Sequence, residues 1–269
     1  MENQPNIKII IAAHKECTLP ANEMYLPVHV GAACSNQDLA YTRDDTGDNI
    51  SSRNPTFCEL TGLYWAWKNL DYDWLGLVHY RRLFSSRRKK KTASESILSE
   101  EELLPLLEQY KVFVPRKRHY FIESVYSHYD HTFDGSQFDL TREILLEKYP
   151  DFVADFDSFM LQRSAWLFNM MIMQRTFVDQ YCTWLFDILF ELEKRIDTSR
   201  MTDFEKRYAG RVGERLFNVW LNHELRTGSL RKGDIKELPY IYLGKVNWWK
   251  KCTGFLKAKF LGKKYKASF

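Results

Sequence analysis

Residues 74–78 (Trp-Leu-Gly-Leu-Val) are apolar without a break, and the run stops abruptly at His79, Tyr80, Arg81 and Arg82. So short a run, apolar on both faces, reads as a buried strand of an α/β sheet. In open α/β sheets ligands sit beyond the carboxyl ends of the strands. Two adjacent arginines there offer planar forks matched to phosphate or diphosphate oxygens. The competing reading is a strand that ends in a solvated basic turn.

The flanking sequence supports an α/β arrangement. Residues 6–13 form a second β-branched apolar run that ends at His14, Lys15 and Glu16. Residues 17–53 show little pattern apart from a short apolar piece at 26–30, and 44–52 are rich in turn formers. Asn54 is placed to cap a helix with Pro55 at its first position, and Phe57, Leu60, Tyr64 and Trp67 give it an apolar face through Leu70. Strand, loop, helix, strand is the opening of an α/β domain. Further along, the spacing predicts a helix over 99–110, a strand over 111–115, and a helix over 141–157 broken by Pro150. It then predicts a core strand over 166–174. A long helix carrying Phe177, Tyr181, Trp184, Leu185, Ile188, Leu189 and Leu192 follows. A helix over 212–225, with Leu216, Phe217, Trp220 and Leu221 inward, and a strand over 239–243 close the pattern. No internal repeat is visible, so residues 1–243 are expected to form one domain and 244–269 an appendage.

Charge separates those two parts. The net charge is +4, yet residues 245–269 hold eight lysines and no acid, so the remainder stands at about −4. The appendage interleaves Trp248, Trp249, Phe255 and Phe260 with lysine. Such a segment suits an anionic membrane surface; a solvated helix packed by its tryptophans is the alternative. A second basic run, 81–91, carries seven positive residues. Nothing else resembles a nucleic-acid-binding module. The five cysteines are scattered, with no CxxC pair, which argues against a disulfide framework or a zinc site. No stretch has the pattern of a signal peptide or the length of a membrane span, so a cytoplasmic protein is expected.

Four further candidates stand out. Asp44, Asp45 and Asp48 could gather a hard cation, but a solvated turn explains them more simply. Asn54 has capping as its competing role. Glu214 is expected near a helix start, where the helix dipole favours an acid; its functional reading is a general base. His119, Tyr120, Tyr126, His128, Tyr129, His131 and Asp134 crowd a segment expected to be a long loop or mobile helix. Within it His128 and Tyr129 are the candidates for substrate contact.

Taken together these stretches resemble a known family. The carriers are residues 9–15, 47–51, Asn54, 58–69 and 76–82, continued by 169–173, 184–189 and 214–216. They are similar to the family long filed as a domain of unknown function in bacterial capsular and exopolysaccharide gene clusters. Its members are regarded as glycosyltransferases. The resemblance implies an α/β, GT-A-like fold with a Rossmann-type mixed sheet flanked by helices. It places Ala12, Ala13, His14 and Asp48 near the nucleotide base and Asn54 near the donor. His79, Arg81 and Arg82 take the position where other GT-A enzymes carry an aspartate motif. Asn169 and Glu214 would flank the acceptor, with Glu214 the base and His79 orienting phosphate or sugar. This departure from the aspartate motif points to a site without a metal or other cofactor and leaves Mn or Mg dependence open. The implied donor is a UDP-sugar, with galactose in pyranose or furanose form as first choice. The implied acceptor is a lipid-linked oligosaccharide at the inner face of the membrane, and the expected outcome is inversion, with retention the alternative. A non-catalytic carbohydrate- or nucleotide-binding scaffold of the same machinery is the rival.

Overall fold

The computed structural model describes residues 4–86, 92 and 94–243. The basic appendage and residues 87–91 of the second basic run therefore lie outside the described residues. Two parallel strands, β1 (Ile7–Ala13) and β2 (Tyr25–His29), open the chain, followed by the two-residue β3 (Thr42–Arg43). Helices α1 (Asn54–Phe57) and α2 (Leu60–Asn69) lead into β4 (Trp74–His79), which turns back as β5 (Arg82–Phe84). Next come α3 (Glu100–Leu107), β6 (Val112–Pro115), β7 (Arg118–His119), α4 (Val125–Thr132), α5 (Ser136–Lys148) and α6 (Val153–Leu161). The chain closes with β8 (Ser164–Ala165), β9 (Met171–Gln174), α7 (Arg175–Arg195), α8 (Tyr208–Thr227), β10 (Ile235–Leu238) and β11 (Tyr240–Tyr242).

The sheet runs β10-β6-β9-β4-β1-β2-β3, with β5 joining β4 to β11 and a separate β7-β8 ribbon. β4, β1, β2 and β3 are mutually parallel, and β9 is inserted antiparallel between β4 and β6. The β1-β4 register, Ile7 opposite Trp74 through Ala12 opposite His79, brings both apolar runs to the same edge. Alternate residues of β1 and β4 feed two apolar layers. Ile10, Leu75 and Leu77 pack toward α2, α7 and α8, while Ile9, Ile11 and Val78 pack toward Phe84 and Leu103. Every apolar position expected on α7 and α8 is buried. Each such Leu or Ile contributes about 1.5–3 kcal/mol against exposure. Among the described residues no helix is long and apolar enough to cross a membrane.

Five local expectations fail. The 54–70 helix is broken at Cys58, which adopts φ 54°, ψ −131°. Asn54 does not cap its start; its amide donates to Cys58 O at 2.8 Å and Thr61 Oγ1 at 3.1 Å, bridging the break. The 26–30 piece is a full strand, recruited by pairing with β1 along its length. Residues 166–174 are strand only from Met171, because Phe168 and Asn169 turn at φ 78° and 50°. α8 starts at Tyr208 rather than near 212, which moves Glu214 into its second turn.

Candidate active site

The carboxyl ends of β1, β2 and β4 meet at one edge of the sheet, and the break between α1 and α2 faces them. His79, last in β4, points Nε2 at the carbonyl of Phe168. A carbonyl only accepts, so Nε2 carries the hydrogen. The amide N–H of Phe168 donates to Glu214 Oε1, and Arg215 pairs with Glu214 Oε2. Asn169 Nδ2 donates to Glu59 Oε1 at 2.7 Å and to Gly210 O at 3.0 Å. His79 Nε2 lies 4.0 Å from the same Glu59 oxygen. The left-handed turn at Phe168 and Asn169 is thus held by a strand end, a helix break and α8 together. Left-handed backbone at bulky residues is costly, and it persists where the surroundings over-determine it, as at functional sites.

Asn169 Oδ1 is buried and has no hydrogen-bond partner among the described residues. Its amide orientation is fixed by the two Nδ2 bonds, so an acceptor oxygen is held there unfilled. Glu59 and Glu214 are both mostly buried, with side chains 18% and 15% exposed, and they supply two carboxylates to the same cluster. Glu59 carried no separate signal in the sequence beyond being the acid beside Cys58 in an apolar block.

On the other face of β4's end lies a cleft of about 470 Å³ whose lining includes Lys15, Glu16, Cys17, Tyr80, Arg81 and Tyr242. His14 meets the Tyr80 ring edge-on at 5.0 Å, and Lys15 and Arg81 sit over the same ring at 5.5 and 5.1 Å. Burial first, then the neighbouring charges of Lys15, Arg207 and Arg81, holds His14 below the usual histidine range. Neutral histidine among cations leaves the positive charge of the cleft on Lys15 and Arg81. Arg82 lies between the Phe168 ring at 4.2 Å and the Tyr242 ring at 5.2 Å, linking cleft and cluster.

The remaining expected residues fall elsewhere. Ala13 is fully buried, and its carbonyl accepts from Val30 N at 3.0 Å. His29, in register with Ala13, is buried with neither ring nitrogen partnered among the described residues. Asn54 packs under Gly31, whose φ of 72° and missing Cβ admit it: a Cβ there would lie 2.5 Å from the amide. Asp44 is a clasp: fully buried, it accepts from Gly31 N at 2.9 Å, Ala32 N at 3.0 Å and Ser51 Oγ at 2.5 Å. Asp45 pairs with Arg43 at 2.6 Å. Asp48 is not brought to the strand ends. It is held at the far end of α2, where Asn69 accepts from its backbone N–H at 3.0 Å and Tyr64 donates to its carboxylate at 3.2 Å. Among the described residues no group of three or more His, Cys, Asp or Glu side chains could hold a metal ion. His128 and Tyr129 belong to the interior of α4, with His128 bonded to Glu123 at 3.0 Å and Tyr129 to Gln137 at 2.5 Å. Their segment folds as a helix capped by Ser124, so its apolar face turns these two rings inward rather than toward a substrate.

A parallel β-α-β half, an antiparallel strand inserted beside β4, and a polar cluster at the strand ends define an α/β protein of the GT-A-like class. The chain belongs to the family described as Domain of unknown function (DUF4422), whose model matches residues 8–225. The fold is similar to that of the WbbM bifunctional glycosyltransferase in its apo structure, with a TM-score of 0.83 and 30% identity. That likeness covers 89% of this chain and 46% of the other, so the chain spans about half of the WbbM protein. A search among curated proteins finds no match.

Proposed function

We propose that the protein is a glycosyltransferase that moves a sugar from a nucleotide-sugar donor to a saccharide acceptor. The observation that carries this reading is the pairing of an aromatic cleft, in which Lys15 and Arg81 outnumber Glu16, with a two-carboxylate cluster at one strand end. The family and the likeness to the WbbM glycosyltransferase support it. Lys15 and Arg81 would neutralise the diphosphate as it departs, the kind of electrostatic stabilisation that dominates many such reactions. Arg82, between its two rings, would face the sugar-phosphate bond. Glu214 takes the proton of the acceptor hydroxyl. The hydroxyl oxygen bonds to the anomeric carbon, the bond from that carbon to phosphate oxygen breaks, and its electron pair leaves with the nucleoside diphosphate. Attack opposite the leaving group inverts the anomeric centre. Asn169 would accept a hydrogen bond from the acceptor through its unfilled Oδ1, and His79 with Glu59 would fix the turn that carries it.

The donor in this reading is a UDP-sugar, galactose in pyranose or furanose form being first choice. The acceptor is a lipid-linked oligosaccharide of bacterial capsule or exopolysaccharide synthesis. The protein would work at the inner face of the membrane, held there by its basic appendage. Lys15 and Arg81 would neutralise the diphosphate without a metal ion.

The test is turnover: release of UDP from a panel of UDP-sugars, with a lipid-linked acceptor present, with and without EDTA. Acceptor-dependent release is expected and EDTA is expected to leave it unchanged. Absence of release from every donor, with UDP binding intact, would favour the scaffold reading. Loss of activity in EDTA would overturn the metal-free assignment.

A further inference from the structure

The cluster's turn is reached by a second structure that the proposed reaction does not use. β7 and β8 form a two-stranded ribbon, Arg118 opposite Ala165 and His119 opposite Ser164. The loop beyond it is pinned along its length: Tyr120 N donates to Arg163 O and Val125 N to Gln162 O, both at 2.8 Å. Between those pins Phe121 and Ile122 stand 81% and 70% exposed, beside Leu161 at 77%. They are three of the few large apolar side chains left in solvent among the described residues. Phe121 has φ 58°, a left-handed conformation that a bulky side chain adopts only under constraint. The fold therefore holds an aromatic outward at the cost of backbone strain, without gaining burial for it. Apolar side chains grouped in solvent mark an interaction surface more often than isolated ones do.

The chain on both sides of this tip is basic, and the acid at the ribbon's base, Glu237, accepts a hydrogen bond from Trp166, whose ring lies under Lys117. Arg116, Lys117 and Arg118 precede the tip, Arg163 lies across from it, and residues 116–122 and 161–165 contain no acid. Glu123, the next acid along, is buried, its two oxygens accepting from His128 and His131 at 3.0 and 3.1 Å. Arg116, Arg118, His119 and Arg163 are exposed. Apolar anchors ringed by cations match the boundary of an anionic bilayer. The rings and aliphatic chains enter the acyl region, while the cations remain among the headgroups.

Position gives the surface a use. β6 runs parallel to β4, with Val112 and Leu75 both opposite Met173, so β6 ends at the edge where His79 sits. The ribbon leaves that edge three residues past Pro115 and returns through Ala165 to the turn at Phe168 and Asn169. A tip seated in a membrane would hold the candidate site close to anything tethered in that membrane.

We propose that the β7-β8 ribbon and the loop beyond it form a membrane-docking finger for an anionic lipid surface, with Phe121 and Ile122 of the loop and Leu161, at the end of α6, as the inserted side chains. It is a contact separate from the basic appendage and does not depend on the glycosyl-transfer reading. The test is flotation of the full chain with phosphatidylcholine vesicles and with vesicles holding phosphatidylglycerol at one part in four. The wild type is expected to float with the anionic vesicles and far less with the neutral ones. The double variant Phe121→Ser, Ile122→Ser is expected to lower the partition coefficient about tenfold or more, because two exposed apolar side chains lose their burial in lipid. Its thermal midpoint and its UDP affinity should match the wild type, since neither side chain packs in the core. Leu161→Ser alone should give a smaller loss in the same direction. Wild-type flotation undiminished in the double variant would overturn the proposal, as would a wild type that floats with neither vesicle. A second copy of the chain as the occupant would show instead as a dimer in light scattering that the double variant abolishes.

Discussion

The two sides of β4's carboxyl end are built on opposite plans. On one side the Phe168-Asn169 turn is held by named bonds: to His79, to Glu214, and through Asn169 to Glu59 and Gly210. On the other, Lys15 and Arg81 sit over the same Tyr80 ring, beside His14. A cation over a ring at an exposed site contributes about 0.5–1 kcal/mol, well under a buried charged hydrogen bond. The cluster is therefore rigid before any ligand arrives, and the cleft presents charge that a ligand would organise. That division suits a reaction with two partners: a hydroxyl that must be aimed, and an anionic leaving group that must be neutralised as it departs. Loosening the cluster without loss of rate, or removing the cleft's cations without loss of donor binding, would show that the two sides do not divide the work in this way.

The largest effect is expected at Glu214. Replacement by Gln keeps a partner for Phe168 N–H but removes the base, and kcat should fall about 10²- to 10⁴-fold with UDP affinity within twofold. Steady-state kinetics beside calorimetry of UDP binding separates the two. Full activity would remove Glu214 from the chemistry and leave Glu59 as the remaining carboxylate of the cluster. Glu59→Gln should cost less, about 10- to 100-fold in kcat, because it disturbs only the hold on Asn169 and His79. A Glu59 variant more damaged than the Glu214 variant would exchange their roles.

Behind the cluster, His128 supplies a third test, read in stability rather than rate. Burial, opposed by its bond to Glu123 and aided by the charges of Arg215 and Arg118, pushes it down to about 4. An unfolded histidine titrates near 6.5. Between those values the unfolded chain binds the extra proton, so stability is whole above pH 6.5 and is lost as pH falls toward 4. The loss attributable to this side chain is on the order of 3 kcal/mol across the window. His128→Gln does not titrate there, so urea melts at pH 7.5 and pH 5 should differ less in the variant than in the wild type. An equal pH dependence in both would show that the ring is not held neutral by the fold.

The sequence carried the parts of this molecule that obey a period. Both apolar runs at the sheet centre, the face of α7 and the inward positions of α8 are where alternation and helical spacing put them. It did not carry the parts set by tertiary contact. β2 is a strand because β1 pairs with it along its length. The break at Cys58 and the turn at Phe168 and Asn169 occupy left-handed backbone with no glycine to announce it. Those two departures from regularity are what bring Glu59 and Asn169 together across 110 residues. The residue pattern shows His79, Asn169 and Glu214 only as separate polar residues; the family resemblance put them at one site, but the contacts that join them depend on where α8 begins and on that unannounced turn. Asp48, His128 and Tyr129 show the converse. Their residue types suit a site, and their elements carry them away from it or inward.

The smallest effect bears on the cleft. If Lys15 and Arg81 neutralise a diphosphate, losing one of two cations should weaken UDP binding by about tenfold, the size of one hydrogen bond between charged groups. Arg81→Ala should do more than Arg81→Lys, since lysine keeps the charge but loses the fork. The effect should shrink as salt rises from 0.05 to 0.5 M, because Arg81 is exposed and its charge is screened. The rate at saturating donor should change less than the binding, since the cluster across the sheet is untouched. Equal losses in binding and in kcat would mean that Arg81 acts on the transition state as well. Cleft and cluster would then be one electrostatic unit joined through Arg82, whose guanidinium lies against the ring of Phe168 in the turn itself.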